Sequence, residues 1–324
     1  MIVPKYWSEA QQTAPVANGQ RTIKRFGWSD SSQQAAEQHA QQRLAEALET
    51  LAATGSVRRM DHKVAYNSTE GLPIREEVIA NYDDIVISRN AYGALCLNTP
   101  SVLFADIDFD PHHGGLTLPW LLPLVIGLGL SWVFAPDSTG WLLGLGITLV
   151  ISLISWLLAK RKKVEQRRGE GERQLENIRA FSQRYPELHL RIYRTPAGYR
   201  VLCMNELFDP RSDRAQQLLK ELHCDPLYSQ LCFNQQCFRA RVSPKPWRIG
   251  MQRMQPASGV WPIKAERMPQ RSAWVQQYEQ TASTYAACHY VERLGAQQTL
   301  PETEQVQRLH DDYCRAQATE LAMG

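Results

Sequence analysis

Ser101-Val-Leu-Phe-Ala-Asp-Ile-Asp-Phe109 is apolar along most of its length and carries two aspartates two positions apart. Successive strand side chains alternate between faces, so a strand here sets Asp106 and Asp108 side by side on one face. Asp110-Pro111 then turns the chain. Further along, Gln174–Tyr185 has the helical stripe Leu175, Ile178, Phe181, and Leu188–Arg194 alternates Leu188, Leu190, Ile192. Pro196-Ala-Gly198 turns into Tyr199–Asn205, which alternates Tyr199, Val201, Cys203. Ser212 caps a helix carrying Ala215, Leu218, Leu219 and Leu222, and Cys237–Val242 alternates Phe238, Ala240, Val242 against Arg239 and Arg241. The order is β-α-β-β-α-β, the ferredoxin-like order shared by RNA-recognition modules and polymerase palms.

Between the first strand and first helix lie two uncharged runs, Leu116–Ala135 (LTLPWLLPLVIGLGLSWVFA) and Trp141–Ala159 (WLLGLGITLVISLISWLLA). As helices at 1.5 Å per residue, each spans about 30 Å, the thickness of a bilayer core. Trp120, Trp132, Trp141 and Trp156 sit near the run ends, and Pro136–Gly140 allows only a tight turn. Seven Lys and Arg crowd 160–173, marking that flank as cytoplasmic. The sequence therefore predicts a transmembrane helical hairpin over 114–160, in a bacterial inner membrane, with both termini cytoplasmic.

Composition agrees with such a division. Of 324 residues, 44% are hydrophobic and 21% charged, which excludes collagen-like, low-complexity and polytopic chains. Residues 1–115 hold 10 Lys and Arg against 14 Asp and Glu, whereas 160–324 hold 26 against 18. The seven cysteines are scattered and odd in number, unlike a disulfide framework, and Met1–Trp7 has no apolar leader core.

Outside the βαββαβ stretch, Arg21–Trp28 reads as a strand. Asp30 reads as the cap of a helix with Ala40, Leu44, Ala47, Leu48 and Leu51 inward and Gly55 at its end. Ile85–Ser88 and Tyr92–Leu97 read as a β-hairpin. The tail, Gln270–Met323, reads as a helical hairpin broken at Gly295. The predicted class is thus α+β, a ferredoxin-like palm core interrupted by a transmembrane hairpin and followed by a C-terminal helical hairpin. Its parts are an N-terminal half at 1–113, the hairpin (helices 116–135 and 141–159), a C-terminal half at 161–247, and the connection and tail at 248–324.

Three groups of residues could carry chemistry. Paired carboxylates repel unless they share a proton or a divalent cation, so Asp106, Asp108 and Asp110 are candidates for Mg²⁺ or Mn²⁺. Arg200, Arg239, Arg241, Lys245 and Arg248 are candidate phosphate ligands, with Trp247 able to stack on a base. Cys224, Cys232 and Cys237 are thiols near His223, while Cys288, His310 and Cys314 would meet across the tail hairpin; either set suits zinc. No P-loop, G-x-S-x-G, H-E-x-x-H or Rossmann fingerprint occurs.

Phe104-Ala-Asp-Ile-Asp-Phe-Asp-Pro111, the helix after it, and Tyr193-Arg-Thr-Pro-Ala-Gly-Tyr-Arg-Val-Leu202 resemble the archaeo-eukaryotic primase–polymerase superfamily over about 101–242. That family has an Asp-x-Asp strand, a turn leading to a His, and a later acidic residue. Here Arg200 stands in place of the His, and Arg239 and Arg241 in place of the acid. The resemblance implies a palm that faces nucleotide or nucleic acid, with metal-dependent nucleotidyl or phosphoryl transfer as its activity. The alternative is a non-catalytic, membrane-tethered interaction module on a degenerate palm, with a protein partner that the sequence leaves unnamed.

Overall fold

Two long alternating segments, β1 (Tyr6–Val16) and β2 (Gly19–Ser29), pair antiparallel from Tyr6 opposite Ser29 to Val16 opposite Gly19. They belong to a computed structural model that describes residues 3–16, 19–61, 73–109, 138–255 and 261–324. Helix α1 (Gln33–Thr54) starts at Ser32, whose hydroxyl accepts from the Ala35 amide, and ends at Gly55 in a left-handed conformation. The cap is Ser32 rather than Asp30. Ala40, Leu44, Ala47 and Leu51 of α1 pack on Ala10 and Ile23 of the hairpin. Gly27 is the point of closest approach. A Cβ there would lie 2.2 Å from the Ala40 amide nitrogen and 2.3 Å from the Ala36 carbonyl oxygen. Helix backbone cannot step aside as a flexible side chain can, so Gly27→Ala is expected to cost about 2–3 kcal/mol. Urea unfolding measures the loss; an unchanged midpoint would show that the helix does not lie against β2.

The next strands form two four-stranded sheets. In one, β3 (Glu77–Tyr82), β4 (Ile85–Arg89), β5 (Leu95–Thr99) and β9 (Phe238–Arg241) are neighbours in that order, antiparallel throughout. In the other the order is β11-β7-β8-β6, made of β6 (Phe104–Asp108), β7 (His189–Thr195), β8 (Gly198–Cys203) and β11 (His289–Gly295). Helix α2 (Ser138–Arg184) leads into β7. Helices α3 (Asp213–Glu221), capped by Ser212, and α4 (Pro226–Gln235), capped by Asp225, lie between β8 and β9. The tail holds α5 (Met268–Ala282), a short β10 (Tyr285–Ala286), β11, α6 (Pro301–Cys314) and β12 (Ala322–Met323), which pairs parallel with β10. Residues 1–107 and 181–324 form one compact unit; 108–180 form another.

The predicted fold class is corrected in three respects. First, no transmembrane hairpin is seen: among the described residues no helix is long and apolar enough to cross a membrane. The run 116–135 lies outside the described residues. The run 141–159 is not a separate helix, because α2 continues without a break through the basic segment to Arg184. Lys, Arg, Glu and Gln are all good helix formers, and they carry the helix through Gly169 and Gly171. Second, β9 does not complete a single palm sheet with β6, β7 and β8. It pairs with β5, Arg241 opposite Cys96 and Arg239 opposite Asn98, where the Arg239 guanidinium meets the buried Glu76 carboxylate. Third, the tail is not a helical hairpin. The stripe Trp274, Tyr278, Ala282 is buried on α5, but the helix ends at Ala282, and His289–Gly295 becomes the edge strand beside β7. Gly295 takes φ 75°, and a Cβ there would meet the Leu188 carbonyl at 2.0 Å, so this exit from the strand requires glycine.

Candidate metal centre

Helix α6 places His310 and Cys314 one turn apart on the same face, and both side chains are fully buried. Cys288 comes from the two-residue link between β10 and β11 and is buried as well. Backbone hydrogen bonds hold that link against the end of α6: Ala287 donates to the Cys314 carbonyl at 2.9 Å and Tyr290 to the Ala316 carbonyl at 2.9 Å. The chain can reach Ala316 in this position because Arg315 is left-handed and stops the helix. The outcome is a cluster in which one ligand atom each from Cys288, His310 and Cys314 lie within 4.8 Å of one another. His310 Nε2 is 3.6 Å from Cys314 Sγ and 3.9 Å from Cys288 Sγ.

The surroundings fix the imidazole. A carboxylate only accepts, so Nδ1, 3.1 Å from Asp311 Oδ1, carries the proton and Nε2 presents its lone pair to the sulfurs. Asp311 Oδ2 is held by Arg191 Nη2 at 3.0 Å and Gln307 Nε2 at 2.7 Å. The Tyr193 ring lies edge-on to the imidazole at 4.5 Å, and Phe104 covers it at 5.3 Å. On the remaining side, Arg200 Nη1 donates to Nε2 at 3.2 Å and to the Arg241 carbonyl at 2.9 Å. The rest of that guanidinium grips Asp106: Nε to Oδ1 at 2.7 Å, Nη2 to Oδ2 at 3.2 Å.

Electrostatics favours an anionic sulfur in this position. The Cys314 thiol, hydrogen-bonded to Cys288, lowers the Cys288 pKa well below a normal thiol despite burial, with His310 and Arg200 adding to the effect. Cys314 is shifted the opposite way, by burial and by the charge on Cys288. Burial disfavours charge on His310, but Cys288 and Asp311 outweigh it and raise its pKa. Burial works against the Asp311 carboxylate too, and the His310 hydrogen bond brings it net below the usual value. Two sulfurs and an imidazole oriented by a carboxylate make a donor set suited to a thiophilic metal, with a second shell already in place.

The other candidates are arranged differently. Both Asp106 oxygens are engaged by Arg200. Asp108 is exposed at the end of β6, where its carbonyl accepts from Gln174 Nε2 at 3.0 Å, and Asp110 lies outside the described residues. Arg239 is fully committed to Glu76, with Nη2 2.7 and 2.6 Å from the two oxygens. Arg241 gives its carbonyl to Arg200. Lys245, Trp247 and Arg248 sit at a single turn of 3-10 helix, Pro246–Arg248, with the Lys245 ammonium 5.7 Å and the Arg253 guanidinium 5.0 Å from the exposed Trp247 ring. Cys224, Cys232 and Cys237 are buried free thiols; Cys224 donates to the Asp106 carbonyl, and burial pushes all three pKa values up. Two functional partners are not signalled by the sequence patterns above: Asp311, next to His310 in His310-Asp311-Asp312-Tyr313-Cys314, and Glu76, which acts across a distance that no local pattern signals. Arg191, one of the guanidinium groups of the central hairpin that would suit phosphate, instead holds Asp311. No protein family, no curated protein and no solved structure matches the chain.

Proposed function

We propose that the chain is a non-catalytic binding module whose C-terminal segment is closed onto its sheet by a thiophilic metal ion, zinc first, held by Cys288, His310 and Cys314. The observation that carries this reading is the convergence of those three ligand atoms within 4.8 Å, from a strand link and a helix end. Asp311 adds the carboxylate–imidazole contact that orients a metal-binding His and raises its basicity. A cation on Nε2 takes the lone pair that Arg200 otherwise uses. Arg200 keeps Asp106 and the Arg241 carbonyl when that happens. The metal would supply a cross-link between segments 22 or more residues apart, and the protein supplies the dry, shaped site.

The same atoms also form a nucleophile–base–carboxylate line, Cys288, His310, Asp311. Burial weighs against hydrolysis there: Cys288, His310 and Cys314 are each 0% exposed, so a substrate carbonyl has no approach to the sulfur. Nucleotidyl transfer at Asp106 is disfavoured by Arg200, whose guanidinium engages both carboxylate oxygens and balances the charge that would attract a cation.

Metal analysis of the purified chain by mass spectrometry tests the proposal. The wild type is expected to carry close to one zinc per chain and Cys288→Ser/Cys314→Ser essentially none. His310→Gln should lose most of the metal as well. Wild type that stays metal-free after incubation with Zn²⁺ under reducing conditions would overturn the reading.

A further inference from the structure

Helix α2 is inside out over residues 147–158. Nine large apolar side chains there, the first Ile147 and the last Leu158, are 45–61% exposed, and every exposed residue of the segment is apolar. The polar residues are the covered ones: Thr148 and Ser152 are buried at 4% and 6%, and Ser155 is half-buried. Water stabilises the opposite arrangement, with apolar side chains turned inward and hydroxyls outward. Apolar residues scattered singly on a surface are ordinary, whereas a continuous patch of this kind marks an interaction site.

The width of the exposed sector selects its occupant. At about 100° per residue it runs from Trp156 through Leu153, Leu157 and Ile154 to Ile151, about 220° of the helix circumference. The stripe by which a helix packs on one neighbour is about 100° wide. One docked helix, or one second copy of this chain, would leave roughly half of the sector in water. A fluid apolar medium covers all of it.

The chain beyond Leu158 supplies the charge. Residues 160–173 continue the helix with seven Lys and Arg against three Glu. Lys160 and Arg161 are exposed, and the Lys160 ammonium lies 5.3 Å from the centre of the Trp156 ring. Tryptophan settles at headgroup level, and clustered Lys and Arg beside an apolar helix attract anionic lipid. The apolar segment rises about 18 Å, against about 30 Å for the hydrocarbon core of a bilayer. It is deep enough for one leaflet and too short to cross both.

We propose that residues 147–158 of α2 are immersed in one leaflet of an anionic phospholipid bilayer, with Trp156, Lys160 and Arg161 at its headgroups. The contact belongs to α2 and stands whether or not the Cys288–His310–Cys314 cluster holds a metal.

Flotation of the full chain, freed from mild detergent by dilution, tests the proposal with vesicles of phosphatidylcholine alone and of phosphatidylcholine mixed with phosphatidylglycerol. The wild type is expected to float with the mixed vesicles and to bind phosphatidylcholine alone about tenfold more weakly. Leu149→Glu/Leu153→Glu/Leu157→Glu sets three carboxylates along one exposed line of the helix, and glutamate keeps the helix propensity. This variant should bind either lipid at least about a hundredfold more weakly, with an unchanged circular dichroism spectrum. Should it lose helix, Leu153→Glu alone, at a position 56% exposed, must still weaken binding about tenfold. Lys160→Glu/Arg161→Glu should keep the binding to phosphatidylcholine and lose the preference for the anionic mixture. Sedimentation without lipid reads the competing occupant. A wild type that does not float and forms a discrete dimer, dissolved by the triple variant, would make this face a contact between copies and overturn the proposal. Flotation that the glutamate substitutions leave unaltered, or equal binding to the two kinds of vesicle, would overturn it as well.

Discussion

Stripping the metal with a strong chelator should lower the melting temperature of the wild type on the order of 10 °C and leave Cys288→Ser/Cys314→Ser unmoved. A ligand that binds only the folded state stabilises it by RT ln(1 + [L]/Kd), about 4.1 kcal/mol at a thousandfold excess over Kd. For a domain above 150 residues, each kcal/mol shifts the midpoint by about 2–4 °C. The variant will itself be less stable, since buried serines replace thiols that are fully enclosed. The decisive quantity is therefore the difference between chelated and loaded forms, which should vanish in the variant because chelator and substitution remove one interaction between them. The loss should also shrink as pH falls, because protons then compete with the metal for both sulfurs and His310 Nε2. A wild-type midpoint indifferent to chelator and to added Zn²⁺ would reduce the cluster to a buried hydrogen-bonded pair of thiols.

What the sequence revealed follows from how local each signal is. Period-two alternation located β7 and β8 within a residue or two, and the apolar run at 85–88 located β4, whereas β5 begins three residues into the run that marked it. Pairing partners are another matter. Phe238–Arg241 alternates correctly, yet its neighbour is β5, chosen by a buried Glu76 that precedes β3 and by Asn98. The Trp274–Tyr278–Ala282 stripe is real, but Tyr285 continues its spacing only by coincidence, beyond the end of the helix. The basic stretch after Ala159 and the glycines at 169 and 171 are residues that commonly end a helix, yet α2 runs on through them to Arg184.

The candidate site was legible in proportion. His310 and Cys314 share a helix, and their i, i+4 spacing is a local fact. Cys288 reaches them through a strand link rather than through a helical crossing, so the residues meet for a reason the sequence did not supply. The Asp106–Asp108 pair shows the opposite error. Two carboxylates on one strand face invite a metal, but a guanidinium on the neighbouring strand can answer one of them just as well, and Arg200 does so.

That pair yields an asymmetric result on mutation. Asp106→Ala is expected to cost about 3–5 kcal/mol, and Arg200→Met clearly less, about 1–3 kcal/mol. Breaking a buried ion pair is expensive chiefly because of the charge left behind. The Arg200 side chain is 2% exposed, whereas that of Asp106 is 29% exposed. Without Asp106 the guanidinium is stranded, with the Arg241 carbonyl and His310 Nε2 as its remaining hydrogen-bond acceptors. Without Arg200 the carboxylate can hydrate through its open side, and methionine fills much of the vacated volume in apolar surroundings. The double variant Asp106→Ala/Arg200→Met should then be more stable than Asp106→Ala alone, since the second change removes the stranded cation. Urea unfolding of the four proteins gives the cycle directly. Equal costs for the two single variants would mean that Arg200 is solvated in solution and does not anchor β8 to β6. A double variant no better than Asp106→Ala would show that packing around Arg200, rather than its charge, sets the stability of this junction.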